Sequence, residues 1–509
     1  MTRYRTARIS LALGLLAHLA LVKAGGKRAF GDTGTGGPGP EAGGQVMVAE
    51  GSGVVLTVGE TGRYQSVQTA IDAAPAGAVV QIAPGTYSEY LTIRKPLTLR
   101  GSGWEQTIIT PRWPAGGMPS AAFGVISWDD GVRGEGAVGP LPADGSPPPE
   151  APPTVLVHGV KGVTIEDLTV LSLDRIRDKA LIGTVDGVQL KGAGCVLSRC
   201  RFIGGLSASL KVGVGSDVTI ASSLVSGYRG GIEVGDATGT ARIRVVASEI
   251  RNAGVGVEVM PGSSAFIGTT RFGGAVDIGV SYVNAAPAII GNVFCGCTAS
   301  AISAQGDTAG RIAFNVFRGP IRAIALHDES HDDIIGNTFV SNTLSVYAGP
   351  HSGGIAVRQN IFFRCDEGFW WDNFDWEAPE VRVQPIPRLA DNVFWENRAN
   401  AIRVVAMKDR RGGVGEEIGL QDGLNWVVEP PFRDAAADDY SLTHEVGRKG
   451  ARAGAPDHIS FHSEWPMHPA EQACLEIREA RRAAKEAEDR QRARQRKATG
   501  SDVVPQQQS

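Results

Sequence analysis

The chain has 509 residues, a formal charge of −4, 67 glycines, 6% aromatic and 20% charged residues. That balance speaks against long charged surface helices and for many short strands joined by turns. Six cysteines are too few for disulfides to be the main staple of a chain this long, and the acidic balance argues against nucleic acid as a partner, because such binding rests on Lys and Arg neutralising phosphates.

In chain order, Arg3, Arg5 and Arg8 precede an apolar run from Ile9 to Val22 and a small-residue stretch around Ala24, so residues 1–24 read as an export signal. The run includes His18 and is short for a membrane span of about 20 residues, and no later segment reaches that length, so no span is expected after the signal is removed. Loss of Arg3, Arg5, Arg8 and Lys23 leaves the remainder more acidic still. Secretion or a periplasmic location follows as the expectation. Residues 25–52 are Gly-rich without apolar periodicity and read as a flexible spacer. Order is expected from about residue 53, with a short helix over Ser66 to Ala74 and strands at VVQIA, LTI and LTLRG. The helix would cover the open end of a solenoid.

This opening segment carries Gln68 to Ala74 (Q-x-A-I-D-A-A), then Gly85-Thr86-Tyr87-Ser88-Glu89 (G-x-Y-x-E), then Leu97 to Gly101. Those motifs resemble the N-terminal part of the pectin-lyase-like superfamily, which implies an all-β fold: a single-stranded right-handed parallel β-helix. The resemblance covers about 50 residues and speaks to fold, since enzymes and non-enzymes share it. The pectinesterase, polygalacturonase and alginate-epimerase signatures are absent. Arg318-Gly319-Pro320-Ile321-Arg322 is similar to the pectate-lyase R-x-P-x-x-R pattern but one residue short.

Residues 111–153, rich in Pro and Gly, read as an insertion loop over one face. Beyond it a repeat emerges. Short polar residues stand two before large apolar ones at Cys200/Phe202, Ser223/Val225, Ser248/Ile250, Thr270/Phe272, Asn292/Phe294, Asn315/Phe317, Asn337/Phe339, Asn360/Phe362 and Asn392/Phe394, with spacings of 22 to 25 residues and one of 32. This gives a solenoid of about ten rungs over residues 53–445, with a buried Asn ladder beside a Phe stack. After it, residues 446–509 read as an extension with a charged helix from about Ala470 to Lys497, solvated or frayed, and a disordered tail.

A further strand in each rung alternates inward and outward, and it is expected to point Leu344/Val346, Phe369/Trp371 and Ile402/Val404 inward near the C-terminal end. The outward positions include Glu233, Glu258, Gln305, His327, Tyr347, Trp370, Asp372 and Arg403. Of these, His327, Tyr347 and Asp372 are placed in one column on three consecutive rungs. A His base beside a Tyr acid, tuned by an Asp, suits removal of a proton next to a uronate carboxylate. Gln305, Trp370, Trp376, Glu258, Glu233 and Arg403 are the candidate substrate contacts, exposed aromatics fitting sugar-ring faces. Asp372 with Asp375 or Glu377 could instead form a glycosidase carboxylate pair. The run His327 to Asp333 is dense in oxygen and nitrogen ligands, yet neither it nor Cys295-Gly-Cys297 has the spacing of a defined metal site; no metal or cofactor is expected, Ca²⁺ being possible without a motif to support it. Two functions stay open: a carbohydrate-active lyase or hydrolase for an acidic polysaccharide, and a non-catalytic β-helix that binds glycan or serves as a cell-surface scaffold. Oligomeric state cannot be read from the sequence.

Overall fold

The computed structural model describes residues 47–49, 53–112, 124–127, 152–177, 180–274, 276–352, 354–372, 387–406, 413–417, 425–444, 454 and 465–498. The expected signal, all of the 25–52 spacer except residues 47–49, most of the 111–153 insertion and Trp376, Asp375 and Glu377 lie outside them. Each turn of the chain lays one strand in each of three sheets. Asp217–Ala221 belongs to the first, Leu224–Ser226 to the second and Gly230–Val234 to the third, before Arg242–Val246 returns to the first. Successive strands in each sheet are parallel, so the architecture is a parallel β-helix. Among the described residues the third sheet runs through twelve parallel strands, from Leu91–Ile93 to Ala399–Ala406, ending on the antiparallel Gly413–Glu417. The solenoid thus has about twelve turns rather than about ten, because the first turns carry none of the Asn or Phe residues by which rungs are recognised.

Helix α1, Val67–Ala73, forms as expected: Ser66 caps it by accepting from the Thr69 N–H, while Val67, Ala70 and Ile71 are buried. Glu89, from the G-x-Y-x-E motif, adds acceptors for Val67 N, Gln68 N and the Ser66 hydroxyl, satisfying donors that the helix start leaves open. The last residues of the expected spacer, Met47–Ala49, pair antiparallel with Gly53–Val58.

The ladder explains why the rungs repeat. The residue before each ladder position turns the chain through positive φ, as at Arg199 (51°), Ser222 (48°), Phe314 (59°) and Gln359 (59°). Each such non-glycine conformation costs about 1–2 kcal/mol. Stacked side chains offset it by pairing the backbone that the turn exposes. Asn337 Oδ1 accepts from Asn315 N at 2.9 Å and Asn315 Nδ2 at 3.0 Å, while its own Nδ2 donates to Ile312 O and Asn360 Oδ1, both at 3.0 Å. The ladder continues past Asn392 to Asn425. Beside it Phe272, Phe294, Phe317, Phe339, Phe362 and Phe394 stack with centroids 4.6 to 5.0 Å apart. All six are fully buried.

The C-terminal helix corrects the expectation of a solvated or frayed element. Helix α2, Pro469–Ala498, buries Ala470, Ala473, Cys474 and Ile477, the last three packing with Leu173, Leu206 and the partly buried Tyr228. Glu471 and Arg251, both almost fully buried, pair at 2.9 Å, and Arg478 and Arg482 hold Asp277. Higher on the same outer face, Phe432, Tyr440 and Leu442 cover Val293, Val316, Val340 and Ile361. Among the described residues the second sheet is therefore largely roofed by the chain's own C-terminal part, which does not extend over the outward polar positions of the third sheet. Among the described residues no disulfide forms, and burial pushes the Cys195, Cys200 and Cys297 thiols up.

Candidate active face

The register of the third sheet defines its columns. Gln189, Lys211, Glu233, Glu258, Ser281, Ser303, Ala325, Tyr347, Trp370 and Ile402 lie opposite one another along successive strands. Leu326, Ala348, Trp371 and Arg403 form the next, inward column. His327, Gly349 and Asp372 each follow a member of that inward column by one residue and so share the outward column beyond it, with Gln305 one rung below.

Two expectations are corrected here. Tyr347 faces outward as expected but stands one outward column away from His327 and Asp372, because Val346 and Ala348, rather than Leu344 and Val346, fill the inward positions. Arg403 stands opposite Trp371, at an inward register position, because Ala401 rather than Ile402 aligns with buried Phe369. In both rungs a small alanine occupies an inward site that the large-residue pattern passes over. Glu233, Glu258 and Trp370 take the expected outward column, and Gln305 is exposed below His327.

Despite the shift in column, the three candidates converge. Gly349 occupies the rung between His327 and Asp372, where a Cβ would lie 3.5 Å from His327 Cα and 3.1 Å from Leu326 O. Tyr347 leans over that gap from the neighbouring column. Its hydroxyl donates to Asp372 Oδ2 at 2.7 Å, and its ring centroid is 5.3 Å from that of His327. Trp370 Nε1 donates to Asp372 Oδ1 at 2.9 Å, so both carboxylate oxygens are held and Asp372 is buried.

The electrostatics separate the roles. Burial and the nearby Arg322 charge hold His327 below the ordinary histidine range, against the opposing pull of Asp328 and Asp372. Neutral imidazole, able to accept a proton, is therefore favoured near neutral pH. Burial, the hydrogen bond to Asp372 and that carboxylate's charge push the Tyr347 hydroxyl up, keeping it protonated. Arg322 is exposed, starts the strand Arg322–Leu326, and makes no ion pair among the described residues. Sequence reasoning set it aside with the imperfect arginine motif, although its place at the head of the His327 strand was a usable signal.

The run His327 to Asp333 disperses in the fold. Asp332 is fully buried and accepts from Tyr282, Thr308 and Ser330, each at 2.6 Å, whereas Asp333 pairs with Arg358 at 2.9 Å. Among the described residues no three His, Cys, Asp or Glu side chains are grouped so as to hold a metal ion, and no helix is long and apolar enough to cross a membrane.

Residues 186–344 match a family described as a right handed beta helix region. No curated protein matches the sequence. Among solved structures, a pectin methylesterase in complex with a hexasaccharide is 14% identical, with a TM-score of 0.29 over 54% of this chain and 80% of that one. A pectate lyase is 14% identical, TM-score 0.37, over 59% and 71%. The A-module of a mannuronan C-5 epimerase from Azotobacter vinelandii is 14% identical, TM-score 0.30, over 66% and 83%. The chain has the right-handed β-helix fold, and likeness at these levels carries no activity across.

Proposed function

We propose that this chain is an exported, polysaccharide-active β-helix whose third-sheet face acts on an acidic glycan by β-elimination. The observation that carries the reading is the convergence of a neutral-leaning His327, an unpaired Arg322 and the Tyr347–Asp372 hydrogen bond on one open face. Arg322 offers a partner for the uronate carboxylate, and neutralising that charge makes the adjacent C–H more acidic. His327 takes the C5 proton as the C4–O bond breaks and a C4=C5 double bond forms; the leaving oxygen takes a proton from Tyr347. Tyr347 must turn its O–H from Asp372 to the leaving group for that step; afterwards His327 gives its proton to solvent and Tyr347 takes one back from solvent, which restores the bond to Asp372. Gln305, Trp370, Glu258 and Glu233 border the path of an extended chain along the sheet.

The same hydrogen bond favours a second reading, a glycan-binding face without catalysis, because in the free protein the Tyr347 proton is committed to Asp372. One experiment separates the two. The protein lacking residues 1–24 is incubated with pectate, alginate and glycosaminoglycans, and absorbance of unsaturated uronate is followed together with binding. Unsaturated product that disappears in His327→Ala supports the lyase; binding without product across the panel supports the binding face; neither binding nor product rejects both.

A further inference from the structure

Six strands below His327 the same sheet holds a separate cavity of about 220 Å³, lined by Gln189, Lys191, Lys211, Gly213, Val214, Asp236 and Thr238. Strands in a sheet lie about 4.8 Å apart, so the two places are roughly 29 Å apart along the solenoid. Among the lining charges, Asp236 is already engaged by the Thr238 N–H at 2.7 Å and by the Thr238 hydroxyl at 2.5 Å. Lys211 pairs with Glu233 at 3.2 Å. Lys191 is exposed and has no ion pair among the described residues. The cavity is thus left with a lysine whose charge is not used internally.

Gln189, buried in the wall, also donates to Asp186 Oδ2 at 3.2 Å. Asp186 is only 5% exposed, and its Oδ1 has no hydrogen-bond partner. Asp186 lies behind that wall rather than among the lining side chains, and its bond from Gln189 holds the Gln189 amide in place. Burial and Glu233 raise the Asp186 pKa, against Lys211, Gln189 and the Ala208 N–H, and Glu258 is raised by burial and by Glu233.

We propose that this cavity binds one carboxylate-bearing sugar unit, with the carboxylate on Lys191 and the ring hydroxyls on Gln189 and Thr238. The proposal rests on the acidic-glycan reading above but uses none of its reacting residues. A polymer engaged at both places must span about 29 Å, which no disaccharide does.

The test uses galacturonate as the probe and glucose as the neutral control, titrated calorimetrically into the protein lacking residues 1–24. Galacturonate is expected to bind where glucose does not, and to bind at least tenfold more weakly to Lys191→Ala. Arg311→Ala, which removes an equally exposed charge from the first sheet, is expected to leave binding unchanged. Lys191 is exposed, so its replacement leaves the fold intact, which a matching thermal melt verifies. Binding that is absent in wild type, equal in Lys191→Ala, or lost in Arg322→Ala instead overturns the proposal. Polymer cleavage that depends on His327 without monosaccharide binding rejects this cavity and keeps the upper face; Lys191-dependent binding without cleavage keeps the cavity and rejects the lyase.

Discussion

Tyr347 hands its hydroxyl proton toward Asp372 Oδ2 over 2.7 Å, although the two side chains leave the sheet from different columns and different rungs. Trp370 fixes the second oxygen of the same carboxylate. On the rung between His327 and Asp372 a side chain at 349 would press on the Leu326 carbonyl, 3.1 Å from its Cβ.

The pair makes a spectroscopic prediction that does not depend on any substrate. In Asp372→Asn the carboxylate charge and its strong acceptor are gone while the shape is kept. The burial contribution to the Tyr347 pKa persists, but the two Asp372 contributions vanish, so its hydroxyl titrates closer to the ordinary value of about 10. Difference absorbance at the phenolate band, with Tyr347→Phe identifying the transition, reads this directly. An unchanged titration would mean that the hydrogen bond is not formed in solution.

Catalysis supplies the second prediction. Loss of a positioned acid or base costs about 10²- to 10⁴-fold, so His327→Ala and Tyr347→Phe should each lower kcat on the responsive glycan by that order. Arg322→Ala should raise KM more than it lowers kcat if its contact with the carboxylate is made in the ground state. Steady-state kinetics on the unsaturated product measure the split, and a His327→Ala variant with full activity rejects the base assignment.

The pH profile follows from the direction of the His327 shift. Its folded pKa lies below the unfolded value, near 6.5, so the unfolded state binds the proton more readily. Stability from this group is present above the unfolded pKa and is lost as pH falls through the folded one. The acidic limb of kcat/KM should likewise have its midpoint below about 6.5, since the neutral imidazole is the working form. A denaturation series and a rate profile over that range measure both, and a midpoint above about 6.5 contradicts the buried, Arg322-flanked setting.

The sequence disclosed the periodic parts of this molecule because they are built from large or chemically distinctive residues. Asn337 under Asn360 and Phe317 under Phe339 repeat at the rung length, and both columns stand where that spacing puts them. What it concealed were positions filled by alanine. Ala348 and Ala401 are as inward as Tyr282, yet their small side chains carry little periodic signal, so large-residue spacing alone misplaces Tyr347 by one column and Arg403 by one register position. The docking of α2 was hidden differently. Averaged over thirty residues the helix reads as charged, whereas Ala470, Ala473, Cys474 and Ile477 form an i, i+3, i+4, i+7 stripe confined to its first turns.

The ladder yields a stability prediction that distinguishes its two halves. Replacing Asn337 by Ala strands the Asn315 N–H and the Ile312 carbonyl in a dry interior and removes two bonds to neighbouring Asn side chains. Each buried group left unsatisfied costs about 1–3 kcal/mol. Ser223→Ala strands less, since Ser223 Oγ serves only Cys200 N and Ala221 O. Asn337→Ala should therefore lower the urea midpoint clearly more than Ser223→Ala, and equal losses would argue that water or local relaxation fills the Asn site.

The last prediction concerns the helix that roofs the second sheet. Arg251 donates to both Glu471 oxygens, at 2.9 and 3.0 Å, and to the carbonyls of Trp465 and Pro466. Neither side chain has solvent to fall back on, and without Glu471 the carboxylate left to Arg251 is Glu249, at the longer distance of 3.6 Å, so removing one partner leaves a poorly paired buried charge at a cost of about 3–5 kcal/mol. Glu471→Leu and Arg251→Met alone should each free the segment 465–482 from Leu173 and Leu206, seen as faster amide exchange there with the ladder strands still protected. The double variant should recover much of the protection, because an apolar pair of similar volume restores packing without a stranded charge. If the single variants exchange no faster than wild type, the contact with Leu173 and Leu206 holds α2 by itself and the ion pair is incidental to docking.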